Sequence, residues 1–249
     1  MRPIALRKIL LVLLAGLAGP GCAKEDLLKH KVDVHEVFPD SRVVELAEAI
    51  ADNDAKRVHL LAKSTDLRAH GDKNVTLLEW AIVNQSKRAF EALLEEGADP
   101  TLPGIENSTA AHMAAMANDP YYLRVLLERG LDPNLQDQRI REPLLSASLM
   151  GGREEQFDAL LAAGASPNVS DSMGDTPLHV AAQVNDATHV LRLLEAGGHP
   201  DALNKQNSTF QWYLFQAPEH LLNEQGQKER ASVREWLIAH DVEVVPATR

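Results

Sequence analysis

A period of about 33 residues constrains this chain more than any other feature. Thr76-Leu77-Leu78-Glu79-Trp80-Ala81-Ile82, Thr109-Ala110-Ala111-His112-Met113-Ala114-Ala115, Glu142-Pro143-Leu144-Leu145-Ser146-Ala147-Ser148 and Thr176-Pro177-Leu178-His179-Val180-Ala181-Ala182 share one frame, and Thr209 opens a fifth copy. Their starts are separated by 33, 33, 34 and 33 residues. The second halves agree as well: Leu93-Leu94, Leu126-Leu127, Leu160-Leu161 and Leu193-Leu194 are each followed three residues on by Gly97, Gly130, Gly164 or Gly197. A unit of this length cannot bury its own apolar face, so units fold only against one another. Apolar residues make up 45% of the chain but aromatics only 4%, which suits helices packed on Leu and Ala better than a compact α/β enzyme.

Each unit reads as a helical hairpin. The Thr at the start caps a first helix, and Pro143 and Pro177 sit in a first turn, where a missing N–H costs nothing. Small Ala residues at 114–115 and 181–182 let neighbouring helices approach closely. The Leu pairs fill the seam, and the glycines end the second helix in a left-handed turn. Gly151-Gly152 reads as a one-residue expansion of the turn between the two helices.

Thr176-Pro177-Leu178-His179-Val180-Ala181-Ala182 resembles the signature of the ankyrin-repeat family. The resemblance implies an all-α solenoid of helix–turn–helix repeats with short hairpin-like tips, about six repeats over residues 43–244. Two are degenerate caps: Val44 to Thr65 at one end, and at the other a unit opening at Thr209 and Trp212. That last unit carries roughly ten extra residues around Pro218 to Gln227 before Val233, Trp236 and Leu237 resume the pattern. Residues 245–249 form a tail. The family role of His112 and His179 is to hydrogen-bond turns between repeats.

Residues 1–21 carry Arg2, Arg7 and Lys8, no acid, and an apolar run from Ile9 to Ala18. The run is too short to span a bilayer comfortably and reads as a secretory signal. It ends in Gly19-Pro20-Gly21-Cys22, which resembles a bacterial lipoprotein signal and implies lipidation of Cys22; cleavage after Ala23 is the alternative. Ala23 behind the cysteine favours the outer membrane. Residues 22–42 read as a tether. Losing 1–21 removes three positive charges from a net of −11 and leaves −14, so nucleic acid is excluded as a partner.

Chemistry is scarce. Cys22 is the only cysteine, which excludes an intramolecular disulfide and a Cys-based zinc site. Ten histidines show no H-E-x-x-H spacing, and no phosphate or nucleophile motif occurs. No cofactor or metal site is read, and His189 and His199 are expected at the surface. A catalytic site would rest on Glu219 and His220 in the insertion, and the sequence sets no activating group beside them. The Asn-x-Ser/Thr triplets at Asn74, Asn107, Asn168 and Asn207 read as turn asparagines.

The family resemblance places partner contacts at the tips and at the exposed ends of the first helices. Here the tips are Asp72, Lys73 and Val75; Ile105, Glu106 and Ser108; Gln138, Arg139 and Arg141; Ser172, Met173 and Asp175; and Lys205, Gln206 and Ser208. The helix positions are Val83 and Asn84, Met116 and Ala117, Leu149 and Met150, and Gln183 and Val184. Met116, Leu149, Met150, Met173 and Val184 would line one face as an apolar patch, unless some of them pack down between repeats. Arg139 and Arg141 beside it are candidate anchors. The net acidity favours a partner with a basic surface.

The chain is therefore expected to be a non-catalytic binding protein, held to the membrane by its N-terminal lipid only and facing the periplasm. Ankyrin-repeat lipoproteins resemble some immunity proteins that neutralise phospholipase effectors delivered by type VI secretion. That implies an inhibitor of a periplasmic toxin with a basic or apolar surface. The alternative is a periplasmic scaffold or stress-protection partner of an enzyme such as a catalase.

Overall fold

The structure, a computed structural model, describes residues 33–216 and 218–245. The signal, Cys22 and most of the tether lie outside the described residues. The chain divides into two compact units, one formed by residues up to 131 together with 137–139, the other by 132–136 with 140 onward.

The first unit contains α1 (Val34–Val37), α2 (Ser41–Ala51), α3 (Ala55–Ala62), α4 (Leu77–Val83), α5 (Lys87–Glu95), α6 (Ala110–Met116) and α7 (Tyr121–Glu128). First helices α2, α4 and α6 pack side by side, and second helices α3, α5 and α7 form the layer behind them. Asp40 and Asp54 cap α2 and α3 by accepting from Arg42 N and Arg57 N. Thr76 caps α4 by accepting from Glu79 N, while the Glu79 carboxylate accepts from Thr76 N, a reciprocal capping box. Trp80 is 1% exposed, and its indole N–H donates to Ala47 O at 3.0 Å, fixing α4 on α2.

Folded structure begins ahead of residue 43. Val34, Val37 and Phe38 are buried, and the Phe38 ring meets Trp80 edge-on at 5.7 Å. Their spacing of three and four puts three apolar side chains on one side of a single turn, so residues 33–42, read as tether, close the end of the core.

The second unit contains α8 (Leu144–Met150), α9 (Glu154–Ala162), α10 (Pro177–Gln183), α11 (Ala187–Glu195), α12 (Phe210–Leu214) and α13 (Glu224–Ala239). Here α8, α10 and α12 form the first layer, and α11 packs on α13. The extra residues around Pro218 to Gln227 are largely helical. Glu219–Leu221 makes a 3-10 turn, and Asn223 caps α13 by accepting from Gly226 N at 2.8 Å. Val233 and Leu237 of α13 are fully buried.

The one-residue expansion is not at Gly151-Gly152. The turn from α8 to α9 spans three residues, as do those from α4 to α5 and from α10 to α11. Gly152 takes φ +61° where Gln85 and Asn185 take +57° and +60°. The extra residue lies in the tip: the bridge Gln136↔Pro143 spans one residue more than His70↔Thr76 or Pro103↔Thr109. Pro143 is accordingly the extended cap before α8, at φ −73° and ψ 149°, and not its first helical residue. Proline's fixed φ suits both places, which is why Glu142-Pro143 imitates Thr176-Pro177 in sequence. Gly97, Gly130, Gly164 and Gly197 do take left-handed φ of +86° to +91° at the ends of second helices.

Candidate functional site

In the first unit the tips are tight hairpins. Lys73-Asn74 and Glu106-Asn107 each place two successive residues at positive φ, and a backbone bond from Gln138 N to Asn107 O at 3.3 Å joins two tips. Asp72, Lys73, Glu106, Gln138 and Arg139 are exposed; Ile105, Ser108, Val83, Asn84, Met116 and Ala117 are half-buried. Val75 is 1% exposed and belongs to the core beneath its tip. Arg139 Nε stands 3.6 Å from the buried carboxylate of Asp137.

The position that is His179 in the second unit is Glu79 here. The Glu79 side chain is buried, with Oε2 accepting from Thr76 N at 2.8 Å. Ile105 N of the next tip donates to both oxygens, at 3.2 and 3.3 Å. Gly104 makes room, since a Cβ there would lie 2.1–2.4 Å from the carboxylate. Burial pushes the Glu79 carboxyl up to about 7, against the opposing pull of the Thr76 and Ile105 hydrogen bonds.

In the second unit three tips are laced in a row, Ser172 N to Ile140 O at 2.7 Å and Lys205 N to Met173 O at 2.9 Å. In the same unit Met150, Met173, Val184 and Trp212 are 53%, 47%, 46% and 46% exposed. A polar chain ties tips to helices. Asp175 accepts from Gln183 Nε2 at 3.0 Å and from Asn204 Nδ2 at 2.7 Å. Asn204 Nδ2 also donates to the Tyr213 hydroxyl, which donates to Gln206 Oε1 at 2.7 Å. Arg141, at φ +58°, folds back onto Gln136 Oε1 at 2.9 Å.

Leu149 does not join this surface; it is 6% exposed. The tip insertion explains why. With Pro143 in the cap position, Leu149 falls where Ile82, Ala115 and Ala182 pack inward, and Met150 takes the outward place. Trp212 and Tyr213 were missed as members of the surface; their signal was the aromatic pair in the fifth copy.

His179 does what the family resemblance implied: Nδ1 meets the Thr176 hydroxyl at 2.9 Å and Nε2 meets Ser208 O of the next tip at 3.0 Å. Ser146 occupies the equivalent place on α8, buried and with its hydroxyl lacking a hydrogen-bond partner. His189 is not a free surface histidine. Its ring bridges Asp186 at 2.6 Å and Glu154 at 3.0 Å and packs edge-on to Phe157 at 4.5 Å. The Asp186 hydrogen bond leads the causes that raise its pKa. His199 is exposed. Glu219 is exposed and ion-paired with Arg234. Among the described residues, no group of three His, Cys, Asp or Glu is placed to hold a metal, and no helix is long and apolar enough to cross a membrane.

Hairpin tips followed by paired helices, with a Thr-to-His or Thr-to-Glu latch at the start of the first helix, define an ankyrin-repeat protein. The family model for ankyrin repeats (three copies) matches residues 111–207. Protein PhlB of Serratia liquefaciens is 40% identical over 187 residues, covering 75% of this chain and 80% of the relative. The chain belongs to the ankyrin-repeat family. Human palmitoyltransferase ZDHHC13 is 33% identical over 189 residues, 74% of this chain but only 30% of that protein. Among solved structures, the ankyrin-repeat protein EF0377 superposes with a TM-score of 0.63 at 20% identity, over 77% of this chain and 96% of that one. A chain from the complex of the predatory endopeptidase Bd0816 of Bdellovibrio bacteriovorus with immunity protein Bd3460 gives 0.60 at 18% identity, over 76% and 97%. These likenesses establish the fold, and ankyrin repeats imply binding to another protein.

Proposed function

We propose that this protein is a non-catalytic inhibitor, an immunity protein that binds and neutralises a toxin such as a type VI secretion phospholipase effector. It would face the periplasm, anchored through an acylated Cys22. The observation that carries the reading is the second unit's surface. Met150, Met173, Val184 and Trp212 stand exposed in a unit whose tips are held by backbone bonds and the Asp175–Asn204–Tyr213 chain. Exposed apolar side chains on a pre-ordered scaffold are what tight recognition of another protein requires. The likeness to a complex that contains an immunity protein supports the same reading, and the net charge of −11 favours a toxin whose surface is basic as well as apolar.

The test is co-expression of the mature chain with the product of the adjacent gene, followed by size exclusion and a toxicity assay. One co-eluting complex with loss of toxicity is expected. An adjacent antioxidant enzyme that binds without being inhibited would replace this reading with the scaffold one, and no complex at all would overturn both. Met150→Ala and Arg139→Ala should each weaken the complex about tenfold while leaving the thermal transition in place. Cys22→Ser should move the protein from the membrane fraction to the soluble one.

A further inference from the structure

We propose that Glu79 is a proton-operated latch on the tip formed by Ile105–Asn107. The argument begins with geometry. A side chain 1% exposed joins two donors from different repeats, Thr76 N on its own helix cap and Ile105 N on the next tip. The approach is so close that only a residue without a Cβ fits at 104. As a carboxylate, the group offers acceptors to both N–H groups. Once protonated, one oxygen becomes a donor facing N–H groups that are donors themselves, and the bond shared by Ile105 N loses one of its two acceptors. The tip is then held to α4 through one acceptor in place of two.

Two consequences of protonation have opposite signs. Neutralising a buried carboxylate relieves its desolvation, so the unit as a whole gains stability in acid. The same proton weakens the bond to Ile105, so the tip alone becomes looser in acid. A purely structural carboxylate would not separate the two readouts.

The charged groups on elements packed against α4 are engaged elsewhere or exposed. Asp72, Lys73 and Glu106 are exposed on the tips, and Glu45 and Arg88 are exposed on α2 and α5. Glu48 pairs with His35, Lys87 with Asp119, and Glu91 and Glu95 with Arg129. Two histidines are nearby in the chain. His70 Nε2 meets Pro103 O at 2.9 Å, and His112 Nδ1 meets the Thr109 hydroxyl at 2.8 Å. Neither makes an ion pair with Glu79, and the test must tell their contribution from its own.

The latch deepens the reading of the tips as contact surface, because Ile105, Glu106 and Ser108 belong to the expected face; its test needs no partner. The Ile105 amide is followed by 15N NMR from pH 5 to pH 8.5 in the mature chain and in Glu79→Gln. In the parent, the amide shift is expected to titrate with a midpoint near 7. Exchange with solvent, corrected for its intrinsic rate, should quicken about tenfold on the acid side as the opening free energy falls. In Glu79→Gln the titration should vanish. A titration unchanged in Glu79→Gln belongs to another group and overturns the proposal, as does a flat response in the parent. The Glu79 carboxyl carbon, followed by 13C NMR in the parent alone, keeps the test open should the variant not fold. A midpoint between 4 and 5, the ordinary carboxylate range, would also overturn it. A parent titration that behaves as expected while no toxin binds would sink the inhibitor reading and leave the latch standing.

Discussion

Glu79 in the first unit and His179 in the second occupy the same place, third in a first helix behind a capping Thr, and they solve one problem with different chemistry. Both close a capping box, with Thr76 and with Thr176, and both reach the next tip. His179 bonds a backbone carbonyl there, Ser208 O at 3.0 Å. As a carboxylate Glu79 can only accept, so it takes a backbone N–H, that of Ile105. The difference teaches that the bridge from a first helix to the next tip does not depend on one residue type. The sign of the bridge decides which backbone group of the next tip must turn toward it, and whether the bridge carries a buried charge.

The comparison breaks most severely at Gly104. A Cβ there would meet all three carboxyl atoms of Glu79 within 2.4 Å. Gly104→Ala should cost about 3–4 kcal/mol in chemical denaturation, through loss of charge-assisted bonds and a displaced buried carboxylate. Adding Glu79→Ala to Gly104→Ala should cost far less than Glu79→Ala does alone, because the two share one contact. Strict additivity of the two losses would show that the crowding is not real.

The second break is in pH. The folded-state pKa of Glu79, about 7, lies above the ordinary 4.5. A raised acid pKa means that the folded state binds the proton more tightly. The associated stability is therefore full below pH 4.5 and is lost as pH rises from there through 7. A shift of this size corresponds to about 3 kcal/mol at most. Melting temperature compared between the parent and Glu79→Gln across pH 4.5–8 should show the parent falling relative to the variant. His189, its pKa raised by Asp186, adds stability that is full below 6.5 and is lost as pH rises through its folded value. It is common to both proteins, so the difference isolates Glu79. A parent that gains on the variant with rising pH would reverse the assignment.

Much of this is legible in the sequence. The 33-residue frame, the capping threonines and the left-handed glycines follow from residue type and spacing, and the bridging role of His179 from the family resemblance. The Glu at position 79 was visible in its motif, but a sequence does not say that a neighbouring tip lacks a Cβ at 104 in order to receive it. The frame around Pro143 misled for a definite reason. Proline satisfies both the extended cap and the first helical position, so a one-residue insertion slid unnoticed from the tip into the turn, and Leu149 was placed outward. Val34, Val37 and Phe38 were lost among polar neighbours because a single turn is too short for periodicity to register. The surface in the second unit was partly readable from its methionines, while Trp212 and Tyr213 depended on the short helix α12 that follows no earlier copy.

The third test asks what the histidine itself contributes. His179→Ala removes the bonds to the Thr176 hydroxyl, Thr176 N and Ser208 O. It should cost about 2 kcal/mol, because it leaves buried backbone groups without partners. A loss of less than half that value, read from urea midpoints, would mean that the bridge is dispensable in the second unit.

The smallest effect is also the sharpest test of whether the place must be polar. Ser146 sits there on α8, 1% exposed, and its hydroxyl meets no hydrogen-bond partner. Its repeat lacks the capping threonine, having Pro143 instead with no side-chain cap, and its tip is a residue longer. The hydroxyl therefore pays desolvation for nothing. Ser146→Ala should raise stability by roughly 0.5–1 kcal/mol, the opposite sign to His179→Ala at the equivalent position. If Ser146→Ala instead destabilises as His179→Ala does, the hydroxyl is bonded after all. The α8 repeat would then keep the same polar bridge as its neighbours, in a form that the longer tip makes necessary.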